Sequence, residues 1–167
     1  RGDIIMFTVS IKWKVTGRQA KKLGPQTLVR TYNTNFDVNI TNDQLVEVSN
    51  LNLYFTLKYY IGQMSPLLST RYEPKIIVKI PSKGTIKRVF FIAPPYPGLM
   101  EAQLQLSDSN DVFLRVRREG NPYAETPASW WFYVIDDIAM EIKNNLELLL
   151  VRLVFMTSPI LIKQLRK

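Results

Sequence analysis

The sequence predicts an all-β protein folded as an antiparallel β-sandwich of immunoglobulin-like or jelly-roll type. Three observations carry that expectation. Residues 4–15 alternate almost without a break, with Ile5, Phe7, Val9, Ile11, Trp13 and Val15 against Thr8, Ser10, Lys12 and Lys14. Successive strand side chains point to opposite sides, so one face of this segment suits a core and the other suits water. The same period of two returns along most of the chain, interrupted by turn-forming stretches at spacings typical of a sandwich or barrel. Eight Tyr, eight Phe and three Trp favour strands and broad packed surfaces.

The elements follow in order. Thr16 to Gln26 holds two glycines, a proline and three cations, and reads as an exposed connection. A second run places Leu28, Tyr32, Phe36, Val38 and Ile40 on one face, with Arg30 and Thr34 intruding; Thr41-Asn42-Asp43 marks a turn. Leu45 to Val48 precedes the strongest central strand, in which Leu51, Leu53, Phe55, Leu57 and Tyr59 oppose Asn52, Tyr54, Thr56, Lys58 and Tyr60. Gly62 to Pro74 reads as a loop. Lys75 to Ile80 and Thr85 to Ile92, joined by Pro81-Ser82-Lys83-Gly84, are expected to pair as a hairpin with lysines outward. Ala93 to Gly98 is a rigid proline-rich connection.

Met100, Ala102, Leu104 and Leu106 then alternate with Glu101, Gln103 and Gln105. Asp108 to Asp111 turns the chain into Val112, Leu114 and Val116, opposed by Phe113, Arg115 and Arg117. Gly120 to Ser129 is another loop, before the aromatic strand Trp130 to Ile135. Asp136 to Met156 is compatible with one helix. The preferred reading is a short helix over 136–144 followed by a strand, because Leu146 to Phe155 is apolar nearly all round; periodicity does not separate the two. Ile160 to Lys167 is a short basic-apolar tail.

At 167 residues and 46% hydrophobic content, a single domain over 1–167 is expected. It divides into a basic strand and loop (1–27), a sandwich core (28–135) and an apolar C-terminal element with a basic tail (136–167). No apolar run is long enough to span a membrane as a helix. The start at Arg1-Gly2-Asp3 reads as a processed or trimmed chain. Cysteine is absent, which removes disulfides and thiolate metal sites. Histidine is absent as well, so general-base, Ser-His and imidazole-ligand chemistry lose their usual agent. No enzymatic role, cofactor or small-molecule substrate is expected. The net charge of +8 is concentrated in residues 1–30, where Arg1, Lys12, Lys14, Arg18, Lys21, Lys22 and Arg30 face Asp3 alone. Such an end suits either a solvated strand face or attraction to nucleic acid, anionic lipid or an acidic partner.

Between 28 and 118 the strands show a recognisable cadence. One ends in Asn39-Ile40-Thr41-Asn42, and Val48-Ser49-Asn50-Leu51-Asn52-Leu53 follows. A strand then closes on Ile80-Pro81, with a Lys/Gly turn and Lys87-Arg88-Val89-Phe90-Phe91, and Pro97-Gly98 precedes a long alternating strand. The pattern resembles the immunoglobulin-like β-sandwich modules of cell-surface and envelope proteins, including those described as cell-adhesion-related. It lacks the disulfide and core tryptophan of antibody domains. The resemblance implies a module that binds partners or spaces other domains.

Several constellations carry candidate chemistry. Trp130-Trp131-Phe132-Tyr133 must split between the two faces of a strand, so one pair fills the core and the other forms a surface patch or lies beneath the C-terminal segment. Trp131, Tyr133, Leu149 and Leu153 are the candidate partner-binding residues; Lys12, Lys14, Arg18, Lys21 and Lys22 are the candidate basic contacts. Tyr54, Lys58 and Tyr60 share one strand face, and Arg115 and Arg117 another beside Phe113, compatible with nucleic-acid stacking or with ordinary cross-strand packing. Asp108/Asp111 and Asp136/Asp137 read as turn and helix-start residues rather than calcium ligands or an acid-base pair. Asn39-Ile40-Thr41 is a glycosylation acceptor placed at a strand end, and Arg1-Gly2-Asp3 spells an adhesion tripeptide.

The expected role is a non-catalytic structural or interaction subunit of a larger cell-surface or envelope assembly, homo- or hetero-oligomeric and extracytoplasmic. The alternative is a viral capsid or matrix protein whose basic region contacts nucleic acid or membrane. A third reading holds the chain to a membrane surface through Ile160 to Lys167.

Overall fold

The computed structural model describes residues 6–16, 24–60 and 68–137, together with Leu146, Leu150, Leu153 and Val154. The strands are β1 (Phe7–Val15), β2 (Thr27–Val29), β3 (Thr34–Asn42), β4 (Val48–Tyr60), β5 (Leu68–Arg71), β6 (Lys75–Ile80), β7 (Thr85–Ile92), β8 (Gly98–Ser107), β9 (Phe113–Leu114), β10 (Val116–Arg118), β11 (Ala124–Glu125) and β12 (Ala128–Ile135). They form a β-sandwich. One sheet has the order β11-β10-β1-β3-β7; the other runs β2-β12-β8-β4-β5, with β6 also on β4 and β9 on β8. Pairing is mostly antiparallel, as expected. Two parallel pairings, β1 with β10 and β2 with β12, make both sheets mixed.

The alternation read from the sequence names the core. Phe7, Val9, Ile11 and Val15 of β1, Phe36, Val38 and Ile40 of β3, the Leu51-to-Tyr59 face of β4 and Met100 to Leu106 of β8 are buried in one continuous cluster. An aromatic file interleaves the sheets. Trp13 meets Phe132 edge-on at 4.8 Å, and Phe132 meets Phe36 at 5.8 Å. Phe36 then meets Phe55 at 5.3 Å, and Phe55 stacks on Phe90 at 4.7 Å. Each contact links strands of opposite sheets, at separations where ring pairs add to simple area burial.

The departures occur where the chain changes sheet. The run expected over 28–40 breaks at Arg30 to Asn33: β2 lies in one sheet and β3 in the other. Thr31 makes the corner in a left-handed conformation (φ 68), strained for a β-branched residue, with its N–H donating to the Pro94 carbonyl at 2.8 Å. The Lys75–Ile80 and Thr85–Ile92 hairpin does not form. β6 pairs with β4 and β7 pairs with β3, so the Pro81-to-Gly84 turn crosses between sheets instead of closing a ladder. Alternation states which side chains face inward; it does not state which neighbour accepts the backbone hydrogen bonds.

The run over 112–117 divides in the same way at Arg115, β9 adding to β8 and β10 to β1. Two segments read as loops contain the short strands β5 and β11. Leu45 and Val46, which precede β4, are exposed bend residues. Asn39 sits within β3, flanked by Ser10 and Lys87, rather than at the strand end. The strand preferred over 145–156 is corrected at its described positions: Leu146, Leu150, Leu153 and Val154 are helical. Their sequence is rich in leucine, a strong helix former without branching at Cβ, and the four share one face at helical spacing.

Candidate interaction face

Strand β12 settles how the aromatic quartet divides. Phe132 is fully buried and Trp130 packs against the core, while Trp131 (42% exposed) and Tyr133 (65% exposed) point outward. They stand on the outer face of the seven-stranded sheet, and the register across that sheet names their neighbours. Tyr133 lies opposite Leu99, which lies opposite Tyr60; Trp131 lies opposite Glu101, which lies opposite Lys58. Ser129, Gln103, Thr56 and Arg71 form the next row. Gln105 and Tyr54 follow. Two features separated by more than seventy positions in the sequence, the outward face of β4 and the outward pair of β12, thus meet on one surface.

The contacts on this face are specific. The Tyr60 and Trp131 rings are 5.2 Å apart, and the Tyr60 hydroxyl donates to Glu101 Oε1 at 3.1 Å. Burial first, and that hydrogen bond second, push the Tyr60 hydroxyl above the usual phenol range. At the other end Phe113 packs edge-on to Tyr54 at 5.9 Å. The Arg71 guanidinium lies 5.0 Å from the Tyr54 ring centroid and donates to Gln105 Oε1 at 3.2 Å. From Tyr60 to Tyr54 is six residues of strand, about 20 Å at the usual rise. Two aromatic platforms are therefore joined by a strip of amide, hydroxyl and oppositely charged side chains.

Gly98 opens β8 beneath the Tyr60 end. Its φ of 111 and a space in which an added Cβ would lie 3.2 Å from the Tyr60 carbonyl oxygen make glycine the fitting residue there.

The other candidates fall elsewhere. Leu153 is exposed on the helical C-terminal residues; Leu149 lies outside the described residues. Lys12 and Lys14 are exposed on the outer face of the five-stranded sheet, opposite Asp37 and Asn35 in register. Arg18, Lys21, Lys22 and Arg1-Gly2-Asp3 lie outside the described residues. Arg115 and Arg117 do not share one strand face with Phe113: the strand breaks at Arg115, and Arg117 turns to Thr8 and Asp43. The Asp108 carboxylate accepts from the N–H groups of Asn110 and Val112, closing its own turn. Asp136 pairs with Arg30 at 3.0 Å, and Asp137 accepts from the Tyr32 hydroxyl, so both tie the end of β12 to the sheet-crossing corner. Among the described residues no three acidic side chains converge as metal ligands would.

The sequence reading missed Arg71, hidden in a segment taken as loop, and did not join Gln103 and Gln105 to the aromatic residues. The signal was present as outward positions of β8; only the strand order connects them to β4 and β12.

No family model and no curated protein matches the chain. The fold does have solved counterparts. The crystal structure of a CARDB domain from Pyrococcus furiosus, in complex with di-metal ions, aligns with a TM-score of 0.51 and 14% identity over 80% of this chain and 95% of that one. The solution NMR structure of the same domain aligns with a TM-score of 0.51 and 16% identity over 80% and 98%. At such identities the likeness shows the fold alone, an immunoglobulin-like β-sandwich.

Proposed function

We propose that this chain is a non-catalytic interaction module of a cell-surface or envelope assembly, and that the outer face of the seven-stranded sheet is its contact surface. The observation that carries the reading is the exposed Trp131/Tyr133 pair, with the Trp131 ring against that of Tyr60, on a continuous, hydrogen-bonded sheet. Large aromatic rings with a polar edge dominate the energetics of contact surfaces, because they bury much area for few rotatable bonds. Lacking histidine and cysteine, the chain offers shape and stacking more readily than reactive groups.

The test is retention on isolated envelope material from the source organism. Wild-type protein is expected to co-sediment with it, and a Trp131→Ser/Tyr133→Ser variant is expected to stay in the supernatant with its far-ultraviolet spectrum unchanged. Equal retention of the two proteins refutes the reading. The basic alternative rests on the exposed Lys12 and Lys14 of the opposite sheet. It requires affinity for nucleic acid or anionic vesicles that falls steeply with salt and that Lys12→Ala/Lys14→Ala reduces.

A further inference from the structure

We infer that the ligand of this face is a neutral polysaccharide, an inference that rests on the outer sheet being the contact surface. Three properties select that chemistry. The first is stacking. Trp131 and Tyr60 form one platform, with exposed Tyr133 two positions along β12 from Trp131, and Tyr54 with Phe113 a second, about 20 Å away along β4. The apolar side of a pyranose ring presents C–H bonds, whose positive ends suit the negative faces of aromatic rings.

The second is the strip between the platforms. Gln103 and Gln105, half-buried, bring amide groups, which both donate and accept, while Thr56 and Glu101 are buried within the face and Glu101 already accepts from the Tyr60 hydroxyl. Sugar hydroxyls need that mixture. A protein-protein patch of this size is ordinarily more apolar at its centre, with acidic side chains depleted there.

The third is charge. Among the described residues the face carries Lys58 and Arg71 as its cations. Arg71 is already engaged by the Tyr54 ring and by Gln105, and Lys58 stands opposite Glu101 in register. A nucleic acid strand or an anionic lipid surface is rewarded chiefly through cations that replace its counterions, and this face holds few to offer. A polymer without charge, with hydroxyls at its edges and apolar ring faces, meets the groups that are present. The sheet also supplies rigidity: β12, β8 and β4 pair over long uninterrupted registers, so the rings are held in place before a ligand arrives.

The experiment uses the full chain and a defined panel: cellulose, xylan, mannan and chitin in sedimentation assays, amylose and mixed-linkage glucan in affinity gels, and oligothymidylate for comparison. At least one neutral polysaccharide is expected to bind, with affinity unchanged from low salt to roughly 0.5 M. Trp131→Ala and Tyr60→Ala are each expected to weaken it about tenfold or more. Trp131→Phe, which keeps a stacking ring, is expected to restore most of the loss. Failure to bind any polysaccharide of the panel overturns the inference, as does preferential, salt-sensitive capture of oligothymidylate that Trp131→Ala abolishes. If envelope retention still depends on Trp131 and Tyr133 while the panel is negative, the contact face stands and the sugar assignment falls. If neither depends on them, both fall.

Discussion

Asn42 is the sharpest place to test how the two sheets are held together. It ends β3 with its side chain fully buried, and it serves the two connections that cross the sandwich edge. Its Nδ2 donates to the carbonyls of Val46 at 2.8 Å and of Ile80 and Pro81 at 3.2 Å, while its Oδ1 accepts from the Gln44 N–H at 3.0 Å. Two amide hydrogens divided among these carbonyls, with one accepted bond, amount to about three net hydrogen bonds near 1 kcal/mol each. Asn42→Ala also strands buried carbonyl groups, chiefly that of Ile80. The total is expected to be about 3–5 kcal/mol, a large share of the roughly 5–15 kcal/mol of an ordinary domain.

Asn42→Asp is the more diagnostic change. An ionised carboxylate only accepts, so it would face those carbonyls with like partial charge, and at neutral pH it is expected to cost at least as much as alanine. Burial and the carbonyls would raise the new carboxyl's pKa above its unfolded value near 4. A raised acid destabilises the fold where it is ionised in the unfolded chain, so the penalty is largest at neutral pH and shrinks as pH falls through the raised pKa. Urea unfolding followed by tryptophan fluorescence at neutral and mildly acidic pH measures this, provided the denaturant slope is unchanged. An alanine variant that loses under about 1 kcal/mol, or an aspartate variant indifferent to pH, would refute the clamp.

Two further outcomes are expected. Phe132→Ala empties the middle of the aromatic file between Trp13 and Phe36 and should cost about 4 kcal/mol by the same unfolding assay, whereas a loss below about 2 kcal/mol would mean the core collapses around the gap. The Tyr59 hydroxyl is buried beside Tyr72 without hydrogen-bonding geometry, and burial first, then Tyr72, push its pKa well up. The unfolded chain therefore releases this proton near pH 10 while the native chain holds it, so stability declines above about pH 10. Tyr59→Phe should flatten part of that alkaline decline and leave neutral-pH stability equal or higher by up to about 1 kcal/mol; an unchanged alkaline limb in chemical denaturation contradicts the assignment.

The core was readable because burial on one side of a strand writes itself into the sequence at period two. Phe7 to Val15, Leu51 to Tyr59 and Met100 to Leu106 show it, and every expected inward residue of β4 and β8 is buried. Pairing was not readable wherever the chain changes sheet. Arg30 to Asn33 and Arg115 preserve the inward-outward order on both sides of the crossing, so alternation continues while the hydrogen-bonded partner changes, and at Pro81 to Gly84 the buried Ile77 and Ile80 of β6 are three apart. Short edge strands such as Leu68–Arg71, exposed throughout, bury nothing and leave no alternation to find. The helical Leu146 and Leu150 follow the opposite failure: a nearly uniform apolar run has no period from which to choose.

The candidate face suffers from the same blindness, and the remedy also separates folding from function. Trp131 and Tyr133 were recognisable as an outward pair, and Tyr54, Lys58 and Tyr60 as another outward set, yet only the order β12-β8-β4 joins them. That order uses none of the three crossings; it is built from two long, uninterrupted antiparallel registers. The face therefore sits on the part of the sandwich least dependent on corner geometry, with its rings largely outside the core cluster. Replacing Tyr133 should shift unfolding by no more than about 0.5 kcal/mol and Trp131, whose ring packs on Tyr60, by about 1 kcal/mol, whereas Phe132, one residue away on the same strand, should cost several times more. A binding defect at Trp131 with so small a change in stability then belongs to the surface. The contrast between adjacent residues of β12 distinguishes a contact platform from aromatic residues kept only for packing.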